Sequence, residues 1–144
     1  MKSMMTKQSL KNVKRYKARV ISAKGNKYHA KPQKIDGITF DSKAEVNYYL
    51  TCVKVCCKHF SCHERFEIIP KFKVGNKNKR HRVYSPDFVI YDENKKMIKV
   101  VDVKPSKITA DSSLRMNLFE YKYQIPVTIA KYDYRTNTFE ESEF

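Results

Sequence analysis

The chain has 144 residues, 41% of them hydrophobic, and its 30 Lys and Arg against 15 Asp and Glu give a net charge of +15. That is enough for one compact domain with a core but too little for two. No apolar run approaches the ~18 residues of a membrane span, so no membrane partner is expected. Met1 to Leu10 lacks the apolar centre of a secretory signal, which points to the cytoplasm.

The charge is unevenly placed. Met1 to Lys34 holds 11 basic residues and no acidic one. Such a block favours a polyanion, nucleic acid being the common one, although a solubilising tail has the same composition. Residues 1–26 read as a basic arm, with Lys14, Arg15, Lys17 and Arg19 as candidate phosphate contacts. Leu10, Val13, Lys17 and Val20-Ile21 recur at helical spacing, predicting an amphipathic helix from Gln8 to Ala23 that Gly25-Asn26 ends.

Residues 27–135 read as the main domain. Lys34 to Phe40 predicts a tight hairpin, because Asp36-Gly37 supplies the positive φ of a primed turn. A helix is expected from Ser42 to about Phe60, with Val46, Tyr49-Leu50, Val53, Cys56-Cys57 and Phe60 as its core-facing stripe. At its start, Ser42-x-x-Glu45 fits a capping box, so Glu45 has a structural reading beside any chemical one. Cys52, Cys56, Cys57 and Cys62 lie near His59 and His63. No C-x-x-C is present and the thiols fall on or beside the apolar stripe, so buried free thiols are preferred to a zinc site. His29 and His81 are expected at the surface, in basic loops.

Arg65 to Val74 predicts a strand interrupted by Pro70, and Gly75 to Lys79 a turn before an antiparallel return from Arg80 to Tyr91. Lys71, Lys73, Lys77, Lys79, Arg80 and Arg82, with no acid among them, form a basic loop beside Asp87. Lys43 and these six are candidate phosphate contacts. The runs Tyr84 to Tyr91 and Met97 to Lys104, joined by Asp92 to Lys96, predict a hairpin. After Pro105, Asp111 or Ser112 can cap a helix reaching Tyr123, with Leu114, Leu118, Phe119 and Tyr123 inward; Ile125 to Tyr132 then completes a right-handed parallel βαβ unit. Residues 136–144 form an acidic tail expected to fray. The expected class is mixed α/β.

The 84–104 hairpin carries charge where a buried strand disfavours it. Asp87 opens the first run, while Asp102 and Lys104 stand two apart in the second and share a face. An unpaired carboxylate among Val100, Val101 and Val103 costs several kcal/mol, roughly, unless a cation or strong donor satisfies it. A structural Asp–Lys ion pair would serve, and so would a metal.

Pro86-Asp87 followed by Asp102-Val103-Lys104 resembles the active-site motif of the PD-(D/E)XK, restriction-endonuclease-like nucleases. Lys27 to Lys31, Asp36 to Glu45, Ile69 to Phe72, Pro86 to Phe88, Asp102 to Lys104 and Leu118 to Tyr123 together resemble a small family of unknown function carried by bacteriophages and prophages and assigned to that superfamily. Phage Holliday-junction resolvases share the motif order; many members have Glu where Asp102 stands.

The resemblance implies an αβββαβ core and a metal-dependent DNA endonuclease acting on branched DNA, leaving 5′-phosphate and 3′-hydroxyl ends. Its implied catalytic residues are Glu45, Asp87, Asp102 and Lys104. Glu45, Asp87, Asp102 and the Val103 carbonyl would hold Mg²⁺ or Mn²⁺, and a homodimer would cut two strands. A catalytically idle DNA-binding protein and a site-specific nicking or homing endonuclease are the competing readings.

Overall fold

The computed structural model describes residues 14–17, 32–104 and 107–144, the first four by backbone alone. The architecture is mixed α/β. Three helices and twelve strands follow one another among the described residues. They are β1 (Lys14–Lys17), β2 (Gln33–Ile35), β3 (Ile38–Phe40), α1 (Lys43–Tyr48), a π-helical segment (Tyr49–Val53), α2 (Lys54–Cys56), β4 (His59–Cys62), β5 (Phe66–Ile69), β6 (Phe72–Val74), β7 (Lys77–Lys79), β8 (Arg82–Tyr84), β9 (Phe88–Tyr91), β10 (Met97–Lys104), α3 (Ala110–Tyr123), β11 (Val127–Asp133) and β12 (Thr138–Glu143). A six-stranded sheet in the order β1-β12-β11-β10-β9-β4 organises the chain; β10 and β11 run parallel and the other neighbours antiparallel. Three two-stranded ladders, β2-β3, β5-β8 and β6-β7, stand apart from it.

Alternation along β10 divides the core between the two sheet faces. Val101 and Val103 join Phe40, Tyr48, Tyr49, Val53, Phe88 and Phe139 beneath α1 and the π-helical segment. Val100 joins Phe66, Tyr84, Met116, Phe119 and Val127 beneath α3 and β5-β8. Two local signals behave as expected. Asp36 and Gly37 have φ of 51° and 80°, the pair of positive values a primed turn requires. α3 crosses from β10 to its parallel neighbour β11.

Several expectations are corrected. The helix expected over Gln8–Ala23 contains a strand at Lys14–Lys17, paired antiparallel with β12; the rest of that range, Arg19 included, lies outside the described residues. In this register Lys14 stands opposite Glu141 and Arg15 opposite Glu140, so a basic segment completes an acidic strand. Residues 136–144 are accordingly not a loose tail. β12 sits between β1 and β11, with Phe139 fully buried and Glu141 at 6% exposure. The Glu141 carboxylate accepts the Tyr48 hydroxyl at 2.6 Å and Lys99 Nζ at 2.9 and 3.1 Å, which is how an acidic sequence enters a core.

The long helix stops at Cys56, because Cys57 turns extended and β4 pairs with β9. Phe60 still packs on the core expected of it, 5.9 Å from the Tyr49 ring, but does so from a strand. Apolar spacing therefore marked the right contact and the wrong backbone. On α3 the cap is Thr109, whose hydroxyl accepts Ser112 N–H. Met116 is buried, and Leu114, expected inward, is 59% exposed.

The cysteines are free; Cys56 is exposed and the other three are partly buried, so full burial of the thiols does not hold. His81 is exposed as expected, and His29 lies outside the described residues. No helix among the described residues is long and apolar enough to cross a membrane.

Phe139→Ala is expected to lower unfolding free energy by about 3–5 kcal/mol, as for a buried aromatic, while Leu114→Ala changes it little. Urea denaturation followed by circular dichroism measures both. Equal stability of Phe139→Ala and the parent would show that β12 does not belong to the folded core.

Candidate functional site

The β9-β10 ladder ends at the pair Val101–Phe88, two residues short of Val103. Pro86 precedes this point and has no N–H to continue the ladder. The Asp87 side chain fills the gap, its Oδ2 accepting the Val103 N–H at 2.7 Å. A strand residue directs its N–H and C=O to the same edge, so the Val103 carbonyl is also presented toward Asp87. The Asp87 backbone carbonyl accepts the His63 N–H at 3.1 Å, and the His63 carbonyl accepts the Ser85 hydroxyl at 2.9 Å. The end of β4 thus fastens the segment that carries Asp87.

Asp102 and Lys104 share a face as their spacing predicts, with Lys104 Nζ 3.0 Å from Asp102 Oδ1. The other Asp102 oxygen accepts the Tyr84 hydroxyl at 2.9 Å, across from β8. Asp102 is 5% exposed. Burial, followed by the adjacent Asp102 charge, pushes the Tyr84 pKa far up, so this hydroxyl remains a donor. Tyr84 is a residue that sequence reasoning missed as part of the site. It opens the same apolar run as Asp87, but nothing local identifies its partner.

Glu45 arrives from the opposite sheet face. Its N–H donates to Ser42 Oγ at 3.2 Å, the helix-capping half of the expected box. The carboxylate accepts Ser42 Oγ at 3.0 Å and Asp41 N–H at 3.3 Å, and lies 3.1 Å from His63 Nε2. The Ser42 half of the capping box is therefore realised, while the Glu45 carboxylate reaches Asp41 N–H and Ser42 Oγ instead of the N-cap amide and stays beside the site. His63 Nε2 is also 4.0 Å from Asp87 Oδ1. His63 entered the sequence argument only as a zinc candidate, yet it bridges the two carboxylates. A φ of 54° at His63 shapes the β4–β5 connection that sets it there.

The electrostatics record the crowding. Asp87 has a strongly raised pKa, caused first by burial, then by the Asp102 charge and then by Glu45; the Val103 N–H offsets part of this. Cys62 senses the same field, since burial and then the Asp87 and Glu45 charges push its thiol up to about 11. Lys104 is held by Asp102, so the negative potential around Asp87 is only partly balanced.

Among the described residues, the group whose ligand atoms all lie within 4.8 Å of one another is Asp41, Glu45 and His63. It shares Glu45 with the set expected from sequence, while Asp87 and Asp102 are not members. The oxygens of Asp87, Asp102 and Glu45 are brought to one end of the hairpin from two faces, without converging that closely.

The candidate phosphate contacts divide into three sets. Lys43 begins α1 beside the Ser42 cap. Lys71, Lys73, Lys77, Lys79, Arg80 and Arg82 are all exposed on or beside the β6-β7 ladder that precedes β8. Lys14, Arg15 and Lys17 lie in β1 at the sheet edge, with β12 and β11 between them and β10.

A carboxyl whose folded pKa is raised favours the folded state in acid. That contribution is lost as pH rises from the ordinary ~3.9 of an aspartate through the folded value. Asn at position 87 can still accept the Val103 N–H. Asp87→Asn is therefore expected to melt above the parent at pH 7 in metal-free buffer and to lose that advantage near pH 4. Calorimetric scans at the two pH values test this; a parent that melts higher at pH 7 contradicts it.

No curated protein and no solved structure matches the chain significantly. A family described as "Protein of unknown function (DUF1064)" matches residues 25–135, which include Glu45, His63, Tyr84, Asp87, Asp102 and Lys104. With most of its length inside that match, the chain belongs to the DUF1064 family.

Proposed function

We propose that this protein is a divalent-metal-dependent deoxyribonuclease of the PD-(D/E)XK type, cutting branched or structured DNA to leave 5′-phosphate and 3′-hydroxyl ends. One observation carries the reading: Asp87, just ahead of β9, meets the Val103 N–H beside Asp102 of the antiparallel neighbour β10, with Lys104 alongside. The element order adds support. A helix bearing Glu45, the antiparallel strands β4, β9 and β10, the helix α3 and the parallel strand β11 follow the αβββαβ order of the superfamily the sequence resembles, with β5 to β8 inserted. A bacteriophage setting, action in the host cytoplasm and a homodimer that cuts paired strands belong to the same proposal.

The donor set suits a hard cation. Asp87, Asp102 and the Val103 carbonyl offer oxygen only, the chemistry of Mg²⁺ and Mn²⁺ sites, and Glu45 can complete the set. Burial first, and then the Asp102 and Glu45 charges, raise the Asp87 pKa, and a divalent ion would offset all three. When bound, such an ion polarises the phosphate and lowers the pKa of a coordinated water.

The remaining roles belong to the chain. Tyr84 fixes one Asp102 oxygen and Lys104 the other, so the carboxylate is held before substrate arrives. Lys104, its side chain 24% exposed, can donate from Nζ to the attacking water and oppose the negative charge that grows on the phosphate. Lys43 and the exposed cations of residues 71–82 hold neighbouring phosphates, with affinity falling as salt rises.

One observation favours a second reading, a catalytically idle DNA-binding protein: both Asp102 oxygens already have partners, as in a structural ion pair. Incubation with Mg²⁺ or Mn²⁺ and a panel of four-way junction, flap, linear duplex and single-stranded DNA separates the two. The expected result is cleavage by the parent, and losses on the order of 100-fold or more for Asp102→Asn and Lys104→Ala with DNA binding retained. Binding without cleavage by the parent, or variants that cut as fast as it does, would defeat the nuclease reading. Independently of activity, Mg²⁺ at 100 times its Kd should stabilise the parent by about 2.7 kcal/mol. Asp102→Asn should lose most of that gain.

A further inference from the structure

The β6-β7 ladder is a two-stranded ribbon that pairs with neither the main sheet nor β5-β8. Every residue from Pro70 to Arg82 is exposed. Gly75, with φ of 56°, begins its two-residue turn, where a primed turn of the II′ kind favours glycine. The register pairs Phe72 with Lys79 and Val74 with Lys77. Directly opposed residues of an antiparallel pair share a face, as do residues two apart in a strand, so Phe72, Val74, Lys77 and Lys79 occupy one face. Lys73 and Asn78 occupy the other.

Solvation explains the lysines of such a hairpin and not its apolar pair. Phe72 is 44% and Val74 61% exposed, side by side on a projection with no acidic residue between Lys71 and Arg82. Among the described residues, Lys77 and Lys79 have no acidic partner. An aromatic ring flanked by unneutralised ammonium groups is the combination that binds exposed bases: cations track phosphate while the ring stacks on a base face. Stacking requires a base that is already unpaired or easily unstacked, as at a junction, a flap or a single strand.

The ribbon also leads directly to the carboxylates. Arg80 and His81 alone separate β7 from β8, whose Tyr84 hydroxyl donates to Asp102.

We propose that the β6-β7 ribbon is a branch-sensing element, in which Phe72, backed by Val74, stacks on an unpaired base while Lys77 and Lys79 hold the adjoining phosphates. This deepens the proposed nuclease function by naming how its substrate is selected, and it rests on that reading only for the consequence of binding. Lys73, on the opposite face, contributes charge without shape preference.

The test uses the full chain in EDTA, so that affinity is measured without cleavage. Labelled four-way junction, single-stranded and linear duplex DNA are titrated by fluorescence anisotropy, with 2-aminopurine at the junction branch point as a stacking reporter. Phe72→Ala is expected to weaken junction and single-strand binding roughly 5- to 150-fold, the equivalent of losing one base–aromatic stack. It should also abolish the change in 2-aminopurine emission and leave duplex affinity within about twofold. The double variant Lys77→Ala/Lys79→Ala should weaken all three DNAs and flatten their salt dependence.

Circular dichroism confirms that these exposed substitutions leave the fold intact. Three results would overturn the proposal: Phe72→Ala binding every DNA like the parent, an equal loss on duplex and junction, or a Phe72 dependence seen only for self-association or for anionic lipid vesicles. A parent that selects junctions through Phe72 yet never cuts with metal removes the nuclease reading and keeps the ribbon. Cleavage without any effect of Phe72→Ala on binding does the reverse.

Discussion

The arrangement depends on one unfilled hydrogen bond in a β-ladder. β9 stops pairing with β10 before Val103, and the Asp87 carboxylate takes the place of the missing backbone acceptor. That substitution brings a carboxylate into the sheet, one residue along from buried Asp102. A continuous ladder would have put a peptide carbonyl there and left no concentrated negative charge. Pro86, which has no N–H to extend the ladder and is itself buried, makes this break a property of the covalent chain.

The surrounding structure holds this unfavourable arrangement from both sheet faces. β8 contributes Tyr84 to Asp102, and the ladder formed by β5 and β8 keeps that tyrosine against Phe119 of α3, with ring centroids 5.2 Å apart. On the other face the Ser42–Glu45 cap places a carboxylate near His63, whose backbone is tied to the segment around Asp87. Burying carboxylates near one another opposes folding, and the two apolar clusters on either side of the sheet must outweigh that cost. Groups that destabilise a fold while poised at one point are the usual mark of a site shaped for a ligand.

Local chemistry made much of this legible. Asp36-Gly37, Pro86-Asp87 and Asp102-x-Lys104 each carry their conformational or electrostatic meaning within a few residues; the first and last lie in the kind of element expected, whereas Pro86-Asp87, expected within one strand from Tyr84 to Tyr91, falls in the break between β8 and β9. Longer-range relations were not legible. Phe60 has helical spacing from Tyr49, but pairing with Ile90 places it in β4. Lys14–Lys17 and the acidic final segment read separately as an arm and a tail, and only their pairing with each other makes both strands. Tyr84 and His63 could not be assigned to the site because their partners lie 18 residues away in the chain. The exposed Phe72 and Val74 were likewise hidden, because a strand pattern alone does not say whether its face is covered.

The central claim is that the oxygens around Val103 form a divalent-cation site, and crystallography of the protein soaked in Mn²⁺ tests it most directly. The account predicts an anomalous peak about 2.1 Å from carboxylate oxygens of Asp87 and Asp102, with the Val103 carbonyl among its neighbours. Density at Asp41, Glu45 and His63 alone, or none at the hairpin with Lys104 still paired to Asp102, would contradict it.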